Sequence, residues 1–136
     1  MQDSIFTQLI KTKTPEEFIY QDDVCVVFLT IEPLTPGHML VIPRKQVDHL
    51  WDLDDETYHH LWTVAKQMAL VLRRAYGDEY KRIGSVVEGF GVPHAHIHVF
   101  GYKGNLEHTV QAHAESHRGI TTEENKEVTT KLRANL

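Results

Sequence analysis

The chain has 136 residues, 41% hydrophobic and 24% charged, with one cysteine and a formal net charge of −5. That length encloses one hydrophobic core without help from disulfides or metal, so a single domain over 1–136 is expected; the lone Cys25 excludes a disulfide framework and suits a reducing, cytoplasmic setting. The sequence has no run of roughly 18 apolar residues to span a membrane and no basic, apolar and small-residue leader, and its acidic balance without a basic stripe argues against a nucleic-acid polymer as partner.

In chain order, Ser4 followed by Ile5, Phe6, Leu9 and Ile10 reads as a capped short helix, with Ile5 stacked on Leu9 and Phe6 on Ile10. Thr14-Pro15-Glu16-Glu17 has a helix-start pattern, yet Phe18 to Tyr20, the acidic pair Asp22-Asp23 and Val24 to Leu29 read together as a hairpin. Pro33, Pro36 and Gly37 mark a turn, and Met39 to Ile42 is a buried strand stopped by Pro43. After Trp51, four acidic residues open a helix of about five or six turns, and Arg73-Arg74 and Gly77 close it. Its apolar face runs from Tyr58 through Leu61, Trp62, Ala65, Met68 and Leu72 to Ala75, while His59 and His60 point apart onto a solvated face. Strands are expected over Ile83 to Val87 and Ala95 to Phe100, joined by a loop from Glu88 to Pro93. Lys103-Gly104-Asn105 is loop-like, and Thr121-Thr122-Glu123-Glu124 caps a last helix with Val128 and Leu132 as its apolar anchors, docked on the domain or on a partner subunit.

Histidine is the outlier of the composition: there are ten, and three stand in alternation at His94, His96 and His98. On a strand these share one face while Ala95, Ile97 and Val99 share the other. Packing a core does not call for three imidazoles in a row. Metal binding is one use. Same-face neighbours lie about 6.6 Å apart, so the outer two lie about 13 Å apart against Zn–N bonds of about 2.1 Å, and convergence of all three on one ion is marginal. A metal reading therefore needs His94 and His96 with a distant histidine such as His38 or His49. Phosphoryl or nucleotidyl transfer is the other use, because an extended anion matches an extended row and mutual repulsion keeps one ring neutral and nucleophilic. Gly89, Gly91 and Pro93, just upstream, permit close backbone approach to a phosphate.

The run Gly91-Val92-Pro93-His94-Ala95-His96-Ile97-His98-Val99 resembles the signature of the histidine-triad (HIT) family, in its short-loop microbial form. Ile5-Phe6, Tyr20-Gln21-Asp22-Asp23, Phe28, Ile31, Pro33, Thr35-Pro36-Gly37-His38 and Val41-Ile42-Pro43 are similar to the N-terminal half of that family in order and spacing, so the likeness covers about 4–102 and leaves a C-terminal polar segment and helix at about 103–136.

The resemblance implies an α+β fold with an antiparallel sheet, one long helix and one or two short ones, and a homodimer that extends the sheet. It implies a hydrolase or transferase that cleaves at the α-phosphate of nucleoside phosphoramidates, adenylates or dinucleoside polyphosphates. His96 would form a covalent nucleotidyl intermediate, with His94 and His98 placing phosphate oxygens and aiding proton transfer. Phe28 and Ile31 match base-holding positions, Gly91 and Val92 the phosphate-side loop, and His38 a supporting position. The ligand would be a purine nucleotide or nucleotide conjugate, with neither cofactor nor metal for the step. Four positions depart from the common pattern. Thr30 replaces an acid that contacts ribose, Gln46 replaces a further histidine, Gly91 replaces a serine near the leaving group, and Glu88 replaces an amide. A carboxylate at 88 repels phosphate, contacts a ribose hydroxyl, or is a solvated loop acid. The departures at Thr30 and Gln46 motivate a rival reading, a nucleotide-binding or scaffold protein of weak turnover.

Overall fold

The computed structural model describes residues 2–104 and 121–136. Its centre is a five-stranded antiparallel sheet in the order β1-β2-β3-β5-β4, built from β1 (Tyr20–Gln21), β2 (Cys25–Leu29), β3 (Met39–Pro43), β4 (Arg82–Val86) and β5 (Ile97–Tyr102). The expected α+β class with an antiparallel sheet is what the chain adopts. Strands β2 and β3 are buried along their whole lengths because both sheet faces are covered. Their unbroken apolar runs reflect that double burial, where a half-exposed strand would alternate.

The two faces carry separate cores. One packs Cys25, Val27, Met39, Val41, Ile97 and Val99 against α2 (Asp55–Tyr76), which contributes Leu61, Val64, Met68 and Leu72. Asp54 caps this helix by accepting from the backbone N–H of Thr57, and Gly77, at φ 52°, closes it with an N–H bonded to the Arg73 carbonyl. The other face holds Val26, Phe28, Leu40 and Ile42 beneath Phe6 and Phe18, with Leu9 and Ile10 at its margin. Phe6 is supplied by α1 (Ile5–Thr12), whose N-cap is Ser4.

A last helix, α3 (Thr122–Arg133), is capped by Thr121 Oγ1 accepting from Glu124 N. Leu132 is fully buried in the α2-side core and Val128 packs against it. Lys131 stands over the Tyr76 ring at 4.0 Å, Arg74 donates to the Asn135 carbonyl, and Arg133 donates to the Phe18 carbonyl. The helix therefore docks on its own domain through the two anchors read from the sequence. Asn105 of the loop-like stretch lies outside the described residues.

Three expectations are corrected. Phe18 and Ile19 precede the strand, which starts at Tyr20, because Pro15–Glu17 forms a 3₁₀ turn that delivers the chain to the sheet edge. His94 to His96 also precede their strand. The bend from Gly91 to His94 leaves Ala95 bonded to the Val47 carbonyl, outside the ladder, and regular pairing begins at Ile97. His60 is not on a purely solvated face, since its Nε2 meets Asp22 Oδ2 at 2.6 Å across the β1–β2 turn.

Candidate functional site

Cross-strand register lays out the site. Phe28 pairs with Leu40, Leu40 with His98, and His98 with Val86, so one lateral row crosses β2, β3, β5 and β4. Directly opposite residues share a face, so this row lies on the α1 side, away from α2. The alternation read from the sequence holds even where the ladder does not: His96 and His98 have ring centroids 5.0 Å apart, Phe6 lies against His94 at 6.0 Å and His96 at 4.9 Å, and Ala95, Ile97 and Val99 enter the opposite core.

Each ring has its own environment. His94 has no solvent exposure, its Nε2 lies 2.7 Å from the Pro43 carbonyl, and its Nδ1 lies 2.7 Å from Ser4 Oγ. A carbonyl only accepts, so Nε2 carries the proton and Nδ1 accepts from the serine hydroxyl. Burial, the largest cause, holds the His94 pKa below its ordinary value; the Pro43 carbonyl works against this and His96 adds to it. His96 places Nδ1 2.8 Å from the His94 carbonyl, which assigns the proton to Nδ1 and the lone pair to Nε2. His98 is 6% exposed, and its Nδ1 lies 2.8 Å from His38 Nε2. Because His38 Nδ1 accepts from the Leu34 backbone N–H at 3.1 Å, His38 holds its proton on Nε2, His98 accepts at Nδ1, and the His98 proton sits on Nε2. Gly37, at φ 92°, delivers His38 to this position, and a Cβ there would meet Leu72 Cδ2 at 2.7 Å.

An open cavity of about 540 Å³ lies over this face. His96 and His98 line it, with Phe28, Thr30 and Ile31 on one side, the loop residues Glu88, Gly89, Phe90, Gly91 and Val92 on the other, and Ile5, Phe6 and Leu9 of α1 above. The structure thus brings together His96, His98, Phe28, Thr30, Ile31, Glu88, Gly91 and Val92. His94 and His38 do not line the cavity; they hold the histidines that do. Gly89, at φ 72°, lets the loop turn back over the sheet after β4. Arg44 and Lys45 lie elsewhere, and Arg44 braces the β1–β2 turn through the Asp22 carbonyl and the Gln21 side chain.

Sequence reading missed the group that secures His94. Ser4 Oγ accepts from Thr7 N and bonds the imidazole, while Gln46 Oε1 accepts from both Ser4 N at 2.8 Å and Thr7 Oγ1 at 2.7 Å. The Gln46 amide also donates to the Gln2 carbonyl. The residue at 46 therefore fastens α1 to the segment that follows β3 and lies outside the cavity lining. The only visible signal was the capping serine at position 4, whose second role depends on a partner 90 positions away.

For the metal reading, the described residues bring Asp22, Cys25 and His60 within 4.8 Å of one another, on the α2 side of the sheet and away from the triad. Asp22 is already saturated, with Oδ1 accepting from Val24 N and Cys25 N and Oδ2 meeting Tyr20 Oη and His60 Nε2. Burial pushes the Asp22 pKa up, but these hydrogen bonds outweigh it and hold the carboxyl well below the usual range. Burial, with Asp22 beside it, pushes the Cys25 thiol up to about 12. His94 and His96 do not converge with His38 or His49 on a common point among the described residues.

An α+β fold with an antiparallel sheet in which the interior strand β5 is preceded by two aligned histidines and contains a third, under an apolar-walled cavity, defines the histidine-triad class of protein. The HIT domain family model matches residues 11–105. An uncharacterized HIT-like protein of Borreliella burgdorferi is 35% identical over 117 residues, covering 76% of this chain and 84% of that one, and one of Synechocystis is 33% identical over 106 residues, covering 74% and 90%. Among solved structures, a HIT-like protein of Bartonella henselae, described as involved in cell-cycle regulation, superposes with a TM-score of 0.81 at 28% identity over 98% of this chain and 96% of that one. A zinc-bound histidine triad family protein of Mycobacterium smegmatis gives 0.76 at 25% identity, over 96% and 91%. The chain belongs to the HIT (histidine triad) family of nucleotide-binding and transferase enzymes. Among the described residues no helix is long and apolar enough to cross a membrane.

Proposed function

We infer that this protein is a nucleotidyl hydrolase or transferase acting at the α-phosphate of a purine nucleotide conjugate, with His96 as the nucleophile. The observation that carries the reading is the His96 Nδ1–H bond to the His94 carbonyl at 2.8 Å, which fixes the tautomer whose Nε2 holds the lone pair. In the first step Nε2 bonds to phosphorus while the bond to the leaving group breaks. The electron pair goes to the leaving atom, which accepts a hydrogen bond from His98 Nε2–H and takes up a proton from solvent. In the second step water attacks phosphorus and releases a proton to solvent, and the phosphorus–nitrogen pair returns to His96 Nε2. The ring row suits this division of labour: His98 is tied to His38 so that its donor is Nε2, and His94 is a positioning residue whose own nitrogens are both engaged. Phe28 and Ile31 offer the apolar surface on which a base stacks, and the β4–β5 loop at Gly91 and Val92 faces the phosphate side.

The reading requires neither metal nor organic cofactor at the step, because the imidazole supplies the nucleophile. Strand β4, an edge of this sheet with Arg82, Gly84 and Ser85 exposed, is the candidate seam for a homodimer. Because Gln46 secures α1 and is absent from the cavity lining, its departure from the common histidine does not favour a binder without turnover.

The test is rapid denaturation in detergent at alkaline pH, where a phosphorus–imidazole bond survives, during turnover of an adenosine phosphoramidate labelled in the adenosine. Label should remain on His96 of the protein, and His96→Ala should retain none. Turnover without any trapped adduct, or an adduct that persists in His96→Ala, overturns the assignment.

A further inference from the structure

Glu88 lines the cavity, and the catalytic reading leaves its carboxylate unused. It stands two residues beyond Val86, the last residue of β4 and the partner of His98, and it lines the same cavity as His98. Its Oε1 is closed off from solvent and has no hydrogen-bond partner among the described residues. Buried carboxylate oxygens are nearly always paired, so an unpaired one on a residue that lines a ligand cavity marks a place where a ligand can bring a donor.

The charges around it sharpen the point. Among the described residues the charged groups lining the cavity are Lys13, Glu32 and Glu88. Lys13 lies 3.3 Å from Glu17 and stands 5.1 Å from the Phe28 ring, which places it toward the base end. Among the described residues no arginine lines the cavity, although a guanidinium fork is the usual partner of a chain of phosphates. A polyphosphate entering here would bring several negative charges toward a carboxylate in a partly desolvated pocket, with no fixed cation among the described residues at that end to offset them.

We propose that Glu88 is a specificity residue that accepts a hydrogen bond from a hydroxyl or amine of the substrate beside the transferred phosphate, selecting nucleoside monophosphates joined to uncharged or cationic groups over polyphosphates. The inference rests on the nucleotidyl-transfer reading for its substrates, but it concerns binding and is measurable without turnover. The donor comes either from the ribose or from the leaving group, and both offer the same chemistry to the carboxylate.

Two measurements test it, on the wild-type chain and on Glu88→Gln, which keeps size and shape but removes the charge. The first is calorimetric affinity for AMP, ADP and ATP with divalent metal chelated. Wild-type affinity should fall along the series by about tenfold or more overall, and Glu88→Gln should flatten it. Wild-type affinity that holds or rises with phosphate number, or an unchanged series in the variant, overturns the proposal, as does failure to bind any of the three. The second is kcat/KM for an adenosine phosphoramidate of a simple amine against a diadenosine polyphosphate. Glu88→Gln should move the ratio at least about tenfold toward the polyphosphate, and an unmoved ratio overturns the proposal. A 2′- or 3′-deoxyadenosine monophosphate separates the sources: if the donor is ribose, the deoxy analogue binds wild type more weakly and Glu88→Gln erases the difference; if it is the leaving group, the deoxy analogue binds as AMP does. A protein that shows the charge-graded binding but never yields labelled His96 retains this inference and loses the catalytic reading.

Discussion

Ser4 Oγ and His94 Nδ1 are 2.7 Å apart, joining the cap of the first helix to the first histidine of the triad across 90 positions of sequence. Through His94 the contact reaches His96, because the backbone carbonyl of His94 is what holds the His96 ring. The first prediction follows from that chain of bonds. Ser4→Ala removes both the helix cap and the imidazole partner, and should lower stability by about 1–2 kcal/mol in urea titration. It should also reduce kcat by about tenfold by loosening the nucleophile. Ser4→Thr, which retains a hydroxyl, should recover most of the kcat. A Ser4→Ala variant with full kcat would show that His96 is held without this support.

His38 sets the tautomer of His98, and that role is separable from bulk. His38→Phe fills the space but has no donor, and kcat should fall about tenfold or more while KM changes little. His38→Gln offers an amide N–H toward His98 Nδ1 and should restore part of the rate. Equal losses in both variants would mean that the ring matters for packing alone.

Two groups give the fold an acid-sensitive stability. His94 has a folded pKa below its unfolded value of 6.5, so the unfolded chain binds more protons as pH falls; its contribution is complete above about 6.5 and is lost progressively below that. Asp22 has a depressed carboxyl pKa, so its contribution is present above its unfolded value of 3.8 and is lost as pH falls further. Urea midpoints measured from pH 8 to pH 3 should hold, decline below about 6.5, and decline again below about 3.8. His94→Asn should remove the first decline, and Asp22→Asn the second.

Leu132 is fully buried where α3 meets the α2-side core, so Leu132→Ala should destabilise the chain by about 2–4 kcal/mol. Its neighbours lie across the sheet from the triad, and kcat per folded molecule should stay within a factor of about two. A large kcat loss at unchanged stability would connect α3 to the site.

What was legible in the sequence followed from periodicity and local chemistry. The 3.6-residue repeat from Tyr58 to Ala75, with its acidic start and Gly77 stop, gave α2 because the signals along that segment agree. The alternation of His94, His96 and His98 gave the shared face, which survives although the ladder starts only at Ile97. The strand start was misplaced because Ala95 spends its N–H on Val47, a long-range bond that no local pattern encodes. For the same reason Gln46 read as a missing histidine at the site and is in fact a clasp on α1, and His60 read as solvated and is in fact bonded to Asp22. The chain spacing of such partners, 42 positions for Gln46 with Ser4 and 38 for His60 with Asp22, exceeds any window over which residue patterns are informative.

Cys25 is the only cysteine of the chain, and its sulfur is sealed within the sheet with a thiol that resists ionisation. Thiol-directed dyes therefore have no native target under gentle conditions. A cysteine introduced at Phe90, whose side chain is 87% exposed at the mouth of the cavity, would be the sole reactive handle, so a single environment-sensitive fluorophore there could follow ligand entry in real time.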